Sequence, residues 1–218
     1  MKLRGVIFDL NGTLVDDIPY HRDAWAMLAK KLDVPMNELI FQSFNGLKNE
    51  DIFPRLLGRD VGPGMLEALG REKEEHYRTL YRPHLAPTAG ANALLARLRA
   101  AGVKLALASS SPPENRAMVL DGLEWNDTFD AIVIPEGMPG KPAPDIFLAA
   151  ARALDVPPSA CLVFEDAWNG VKAATTAGMT VVGLTTNVDA EVLLRGGAVT
   201  TMKDFTTLPA DLDTLLPG

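Results

Sequence analysis

A single cysteine, Cys161, is all that the 218 residues contain. That excludes an internal disulfide framework and suits a reducing compartment. A basic excess is also missing: 28 acidic against 21 basic residues leave a formal charge of −7, the wrong sign for a nucleic-acid binder. Long hydrophobic runs are lacking too. The first apolar stretch, Val6 to Phe8, is far too short for a signal peptide or a membrane span. Neither an internal repeat nor a low-complexity tract is visible. At 47% hydrophobic residues, the chain can still bury a sizeable core as one large domain or two unequal ones. The expectation is a soluble, cytoplasmic monomer whose partners are small molecules rather than nucleic acid or membrane.

What is present is a rhythm. Short β-rich runs recur at Leu3–Phe8, Val103–Ala108, Ala131–Ile134, Cys161–Phe164 and Val181–Leu184, with helical patterns such as Ala89–Ala101 and Asp145–Leu154 between them. Such runs read as buried parallel strands, and their alternation with helices implies an α/β sheet with right-handed crossovers. One segment breaks the pattern. Between Leu14 and Pro87 the helical patterns Asp23–Leu32 and Met65–Tyr81 occur without a convincing strand. Pro83, Pro87 and Gly90 crowd its far edge, as a connector would. The division expected is an α/β core of residues 1–14 and 88–218, with a helical cap of residues 15–87 inserted after the first strand.

In open α/β sheets, ligands bind beyond the carboxyl ends of the strands. Four of the five runs end in polar residues: Asp9, Asn11, Gly12 and Thr13; then Ser109, Ser110 and Ser111; then Lys141 within GMPGKPAPD; then Glu165 and Asp166. Together they suit phosphoryl transfer. A carboxylate can accept a phosphoryl group and divide one hard step into two. A lysine and a Mg²⁺ can neutralise the group in flight, and Mg²⁺ takes carboxylate and other oxygen ligands. Each residue alone has a plainer explanation. Asp9 could be a turn residue, Lys141 surface charge, Glu165–Asp166 a favourable helix start, and Ser111 a capping residue of Ser-Pro-Pro-Glu. Their coincidence at successive strand ends favours the site.

The stretches FDLNGTLVDD, LASSS, GKPAPD and VFEDAWNG resemble the four ordered motifs of the haloacid dehalogenase superfamily, and the helical segment resembles its inserted cap. Within that superfamily the likeness is to the β-phosphoglucomutase-like phosphatases and mutases. The resemblance implies a Rossmann-like core and Asp9 as the phosphorylated nucleophile. It also implies Ser109 as a phosphate-binding hydroxyl and Lys141 as a charge clamp. Mg²⁺ would be held by Asp9, Asp166 and the backbone carbonyl of Asn11, with Glu165 assisting. Thr13, Ser110, His21, Trp25 and Lys73 are further substrate-binding candidates. Trp25 could equally pack a cap core, and Lys73 could snorkel at its edge. The stretch FNGLKNED resembles a specificity loop and adds Gly46 and Asn49, the latter standing where a mutase would carry arginine.

One position departs from the pattern. The superfamily's acid–base aspartate is Asn11 here, an amide with no exchangeable acid proton near neutral pH. General acid–base help is typically worth about 10²–10⁴-fold, and alkyl esters should feel its loss most. Asn11 is an introduced substitution, a natural feature of a slow phosphatase, or the mark of a branch that never used an acid. The expected activity is a Mg²⁺-dependent phosphatase of a small phosphorylated metabolite of the sugar phosphate class. The alternatives are a sugar phosphomutase, a C–P hydrolase using a cap lysine near Lys48, and a non-catalytic phosphometabolite binder.

Overall fold

The frame is set by β1 (Gly5–Phe8), every residue of which is buried. The computed structural model describes residues 3–44, 47 and 49–209 of the chain, without the side chain of Glu50. The other strands are β2 (Lys104–Ala108), β3 (Ala131–Val133), β4 (Cys161–Glu165), β5 (Thr180–Leu184) and β6 (Thr200–Met202). They form one sheet in the order β3-β2-β1-β4-β5-β6, and every neighbouring pair is parallel. Period-two alternation splits β1 between two cores. Val6 and Phe8 face one apolar cluster, while Ile7 joins another with Ala106, Val163 and Phe147. Phe8 stacks on Phe164 of the adjacent strand, ring centroids 5.1 Å apart.

Helices α1 (Ile18–Lys31), α2 (Glu38–Gln42), α3 (Asn49–Leu57) and α4 (Pro63–Tyr81) all fall between β1 and β2. They enclose an apolar cluster of their own that includes Trp25, Leu28, Phe53 and Leu69. The chain returns to the sheet through α5 (Ala91–Ala100). Its departure and return are tied together: Thr88 donates its N–H to the Leu14 carbonyl and its hydroxyl to the Thr13 carbonyl, each at 2.8 Å. Helices α6 (Pro113–Gly122), α7 (Asp145–Ala153), α8 (Trp168–Thr176) and α9 (Ala190–Gly196) make the remaining crossovers.

Several details differ from the sequence expectation. Helix α1 starts five residues before Asp23, because Pro19 sits in its first turn, where a missing N–H costs nothing. The third strand stops at Val133. A sixth strand, β6, was not expected: Thr-Thr-Met is too short and polar to register as an apolar run. Ser111 does not cap α6, since the N-cap is Pro112 and the Ser111 hydroxyl is buried without a partner among the described residues. Among those residues, no helix is long and apolar enough to cross a membrane.

Candidate active site

Sheet register brings the chemistry together. Phe8 pairs with Leu107 on one side and Phe164 on the other, so Asp9, Ala108 and Glu165 end abreast. The strand order reverses direction between β1 and β4, the switch point where a crevice opens in such sheets. Asp9 donates its N–H to the Phe164 carbonyl at 3.1 Å, which extends the ladder by one residue. The turn after it requires Gly12, at φ +76°, a conformation that side chains resist. A Cβ on Gly12 would also collide with the Asp166 carboxylate, and one on Gly170 with that of Glu165.

The buried core of the site is a lysine between acids. Lys141, in the loop after β3, donates to Asp9 Oδ1 and Glu165 Oε1, both at 2.6 Å. Asp166 completes the group: Asp9, Glu165 and Asp166 can bring one carboxylate oxygen each within 4.8 Å of one another. Three carboxylates thus share one ammonium, and the charges do not balance. Burial pushes the Asp9 carboxyl up to about 7, with Lys141 opposing and Glu165 assisting. Asp166 is also raised, by burial first and then by Glu165 and Asp9. On Lys141 burial acts downward, but the two carboxylates outweigh it and its pKa rises. An all-oxygen donor set with excess negative charge fits a hard divalent cation such as Mg²⁺.

A cleft of about 550 Å³ opens above this group. Of the residues expected from sequence, Asp9, Asn11, His21, Trp25, Asn49, Lys73, Ser110, Lys141, Glu165 and Asp166 line it. Thr13 and Ser109 stand behind the wall. The Thr13 hydroxyl donates to Asp166 Oδ1 at 3.2 Å, and the Ser109 hydroxyl accepts the Ser111 N–H at 3.0 Å. Gly46 and Lys48 lie outside the described residues. Trp25 packs against Phe44 and Phe53 in the cap cluster and also borders the cleft. Lys73 does not snorkel. It is buried, donating to Glu74 Oε1 at 3.0 Å and to His21 Nδ1 at 2.9 Å. Burial pushes the Glu74 carboxyl up, but Lys73, His21 and hydrogen bonds outweigh it and leave it at about 2.

Sequence reasoning missed some participants. The end of β5, passed over as the one strand without polar residues, supplies Thr186 to the Gly12 carbonyl and Asn187 to Asp166. The signal was the Thr-Thr-Asn run that follows Leu184. Arg116 on α6 borders the cleft with its guanidinium on the Ser111 carbonyl at 3.0 Å. Asp17 is wholly enclosed, and only the acidic pair Asp16–Asp17 hinted at it.

Comparison with known proteins agrees with this geometry. The family model for haloacid dehalogenase-like hydrolases matches residues 3–178. The chain is 35% identical over 192 residues to a β-phosphoglucomutase of Bacillus subtilis, covering 84% of this chain and 83% of that protein. It is 32% identical over 201 residues to validoxylamine A 7'-phosphate phosphatase of Streptomyces hygroscopicus subsp. limoneus, covering 92% and 93%. The solved β-phosphoglucomutase of Clostridium difficile superposes with a TM-score of 0.84 at 27% identity, covering 97% of this chain and 96% of that one.

Proposed function

The chain belongs to the haloacid dehalogenase-like hydrolases, and from that premise we propose that it is a Mg²⁺-dependent phosphatase of small phosphorylated metabolites. The observation that carries the reading is the Lys141-bridged pair Asp9–Glu165 beside Asp166, at the floor of a cleft at the sheet's switch point. Family membership and relatives named as a phosphatase and a phosphomutase make it an enzyme of phosphate esters.

In the proposed reaction an Asp9 carboxylate oxygen attacks phosphorus while the ester P–O bond breaks, and the leaving oxygen keeps the electron pair. Water then attacks the aspartyl phosphate, the P–O bond to Asp9 breaks, and the water's proton passes to solvent with phosphate release. Lys141 offsets negative charge on the transferring group. Mg²⁺, when bound, would be held by Asp9, Asp166 and the Asn11 backbone carbonyl, with Glu165 assisting, and would supply charge neutralisation. Asn11 cannot protonate a leaving oxygen, so an aryl phosphate should turn over faster than an alkyl one. Phosphate release from p-nitrophenyl phosphate and from a panel of sugar phosphates, with and without Mg²⁺, tests this. Mg²⁺-dependent release is expected; absent or metal-independent release from every ester would sink it.

A second reading, sugar phosphomutase, is favoured by the 35% identity to the Bacillus subtilis enzyme and by His21, Trp25 and Lys73 on the cleft wall. Isomerisation of β-glucose 1-phosphate that needs a bisphosphate primer would select it, and phosphate release alone would reject it.

The carboxylate cluster also gives a stability test. Asp9 has an ordinary value of 3.8 and reaches about 7 when folded. Between those values the native state holds a proton that the unfolded chain has lost, so metal-free stability falls as pH rises through the window. A cation bound among the carboxylates should therefore add more stability at pH 8 than at pH 5. Thermal melts with and without MgCl₂ at both pH values measure this. An equal or absent Mg²⁺ shift at the two would count against a metal at these residues.

A further inference from the structure

Asp17 occupies the N-cap position of α1, where an aspartate ordinarily accepts the N–H of the second or third helical residue. It makes no such bond. Its carboxylate turns back toward β1 instead: Oδ1 accepts the Gly12 N–H at 3.0 Å, and Oδ2 accepts the Tyr77 hydroxyl and Asn11 Nδ2, each at 2.5 Å. The side chain is fully buried, so a negative charge has been placed away from water against neutral donors. Such a charge is costly to bury unless it is hydrogen-bonded, and here the donors that offset the cost come from the strand-end turn and α4 rather than from the helix Asp17 precedes.

The chemistry of the partners fixes the orientation of the Asn11 amide. A carboxylate only accepts, so the Asn11 atom facing Asp17 is the NH₂ group. His21 agrees. Its Nδ1 faces the Lys73 ammonium at 2.9 Å, which can only donate, so the ring hydrogen sits on Nε2. That nitrogen lies 3.6 Å from Asp17 Oδ2 and 3.4 Å from Asn11 Nδ2. Two donors therefore stand side by side around one acceptor, and Asn11 Oδ1 is left with no protein partner among the described residues. Asn11 lines the cleft next to Asp9. Donation from Nδ2 to a carboxylate also polarises the amide, which makes Oδ1 the stronger acceptor.

We infer that Asp17 is a positioning residue for catalysis: it locks the Asn11 amide so that Oδ1 orients the attacking water, while leaving-group protonation is absent by construction. This rests on the Asp9 phosphatase reading. It also says that Asn11 and Asp17 form one unit, a carboxylate and an amide exchanged across a single hydrogen bond. Asn11→Asp alone would replace the amide donor by a second carboxylate facing Asp17, with only the His21 ring and the Tyr77 hydroxyl beside the two, and their repulsion would turn residue 11 out of place. Asn11→Asp combined with Asp17→Asn would restore the pair with its members reversed and put an acid beside the leaving oxygen.

The test is a four-protein cycle: wild type, each single variant and the double variant. It reads kcat and KM on p-nitrophenyl phosphate and on a sugar phosphate, with melting temperatures alongside. Asp17→Asn should lower kcat on the aryl ester about 10- to 100-fold with KM little changed. Asn11→Asp should give no gain on the sugar phosphate. The double variant should exceed wild type there by about 10-fold or more, within the range of general acid catalysis. Both single variants should melt below wild type, and the double should recover. If the effects of the two changes simply multiply, on rate and on melting, Asp17 does not hold residue 11 and the inference falls while the phosphatase reading stands. If wild type releases phosphate from no ester, the phosphatase reading fails and takes the inference with it.

Discussion

Replacing Asp9 by asparagine is expected to end phosphate release, lowering kcat by about 10⁴-fold or more, the scale seen when a covalent nucleophile is removed. The substitution keeps size and shape, and the new Oδ1 can still accept from Lys141. The fold should therefore survive and even gain. One of three buried carboxylates disappears from around one ammonium, so the metal-free protein at pH 8 should melt at or above the wild-type temperature. Loss of turnover with unchanged or increased stability is the signature of a group kept for chemistry rather than structure. Measured rates within about 10-fold of wild type would mean that the phosphoryl group does not pass through Asp9.

Lys141→Met should produce the opposite pairing of effects. Its ammonium is the charge partner shared by Asp9 and Glu165, and removing one side of a buried ion pair typically costs about 3–5 kcal/mol. In a chain of this size that corresponds to a fall of roughly 10 °C in melting temperature for the metal-free protein near neutral pH. The deficit should be largest in alkaline solution and shrink as pH falls toward 7, because Lys141 holds the Asp9 carboxyl down and without it Asp9 takes a proton at a higher pH, so that one unpaired charge vanishes. Added Mg²⁺ should recover much of the stability, since the carboxylates are left freer to hold it. Turnover should stay low, by about 10²–10³-fold, the usual cost of removing one charge-stabilising donor. A variant that melts like wild type without metal would show that Lys141 is not needed to balance these acids.

The sheet and the floor of the site were legible because their determinants are local. Buried strands write themselves as apolar runs, and polar residues that break such runs at the carboxyl end stand out one by one. Asp9, Lys141, Glu165 and Asp166 all lie within one loop of a strand end, so strand recognition was enough to bring them together. Elements without a periodic signature escaped: β6 is three residues long, and α2 is five. Partnerships across long separations escaped as well. Tyr77 reaches Asp17 over 60 positions, and Glu74 receives the Asn115 amide over 41. The burial of Lys73 escaped because its ion-pair partner is its own neighbour, and an adjacent Lys-Glu pair on a helix gives no hint that both side chains are buried. The Asp17 carboxylate was invisible for a related reason. With the helix expected to begin only at Asp23, Asp17 reads as one of two acids in a connecting loop, and nothing local tells that its carboxylate is enclosed.

The tie between Thr88 and the Thr13–Leu14 carbonyls bears on how such a chain can change over time. Where the backbone leaves the sheet and where it comes back are neighbours, so from the sheet's side everything between amounts to a single long loop. Closing a loop grows costlier only with the logarithm of its length. Helices can thus be lengthened, shortened or exchanged in that interval at small cost to the strands below. The residues at the strand ends and those on the inserted helices are then free to evolve at separate speeds.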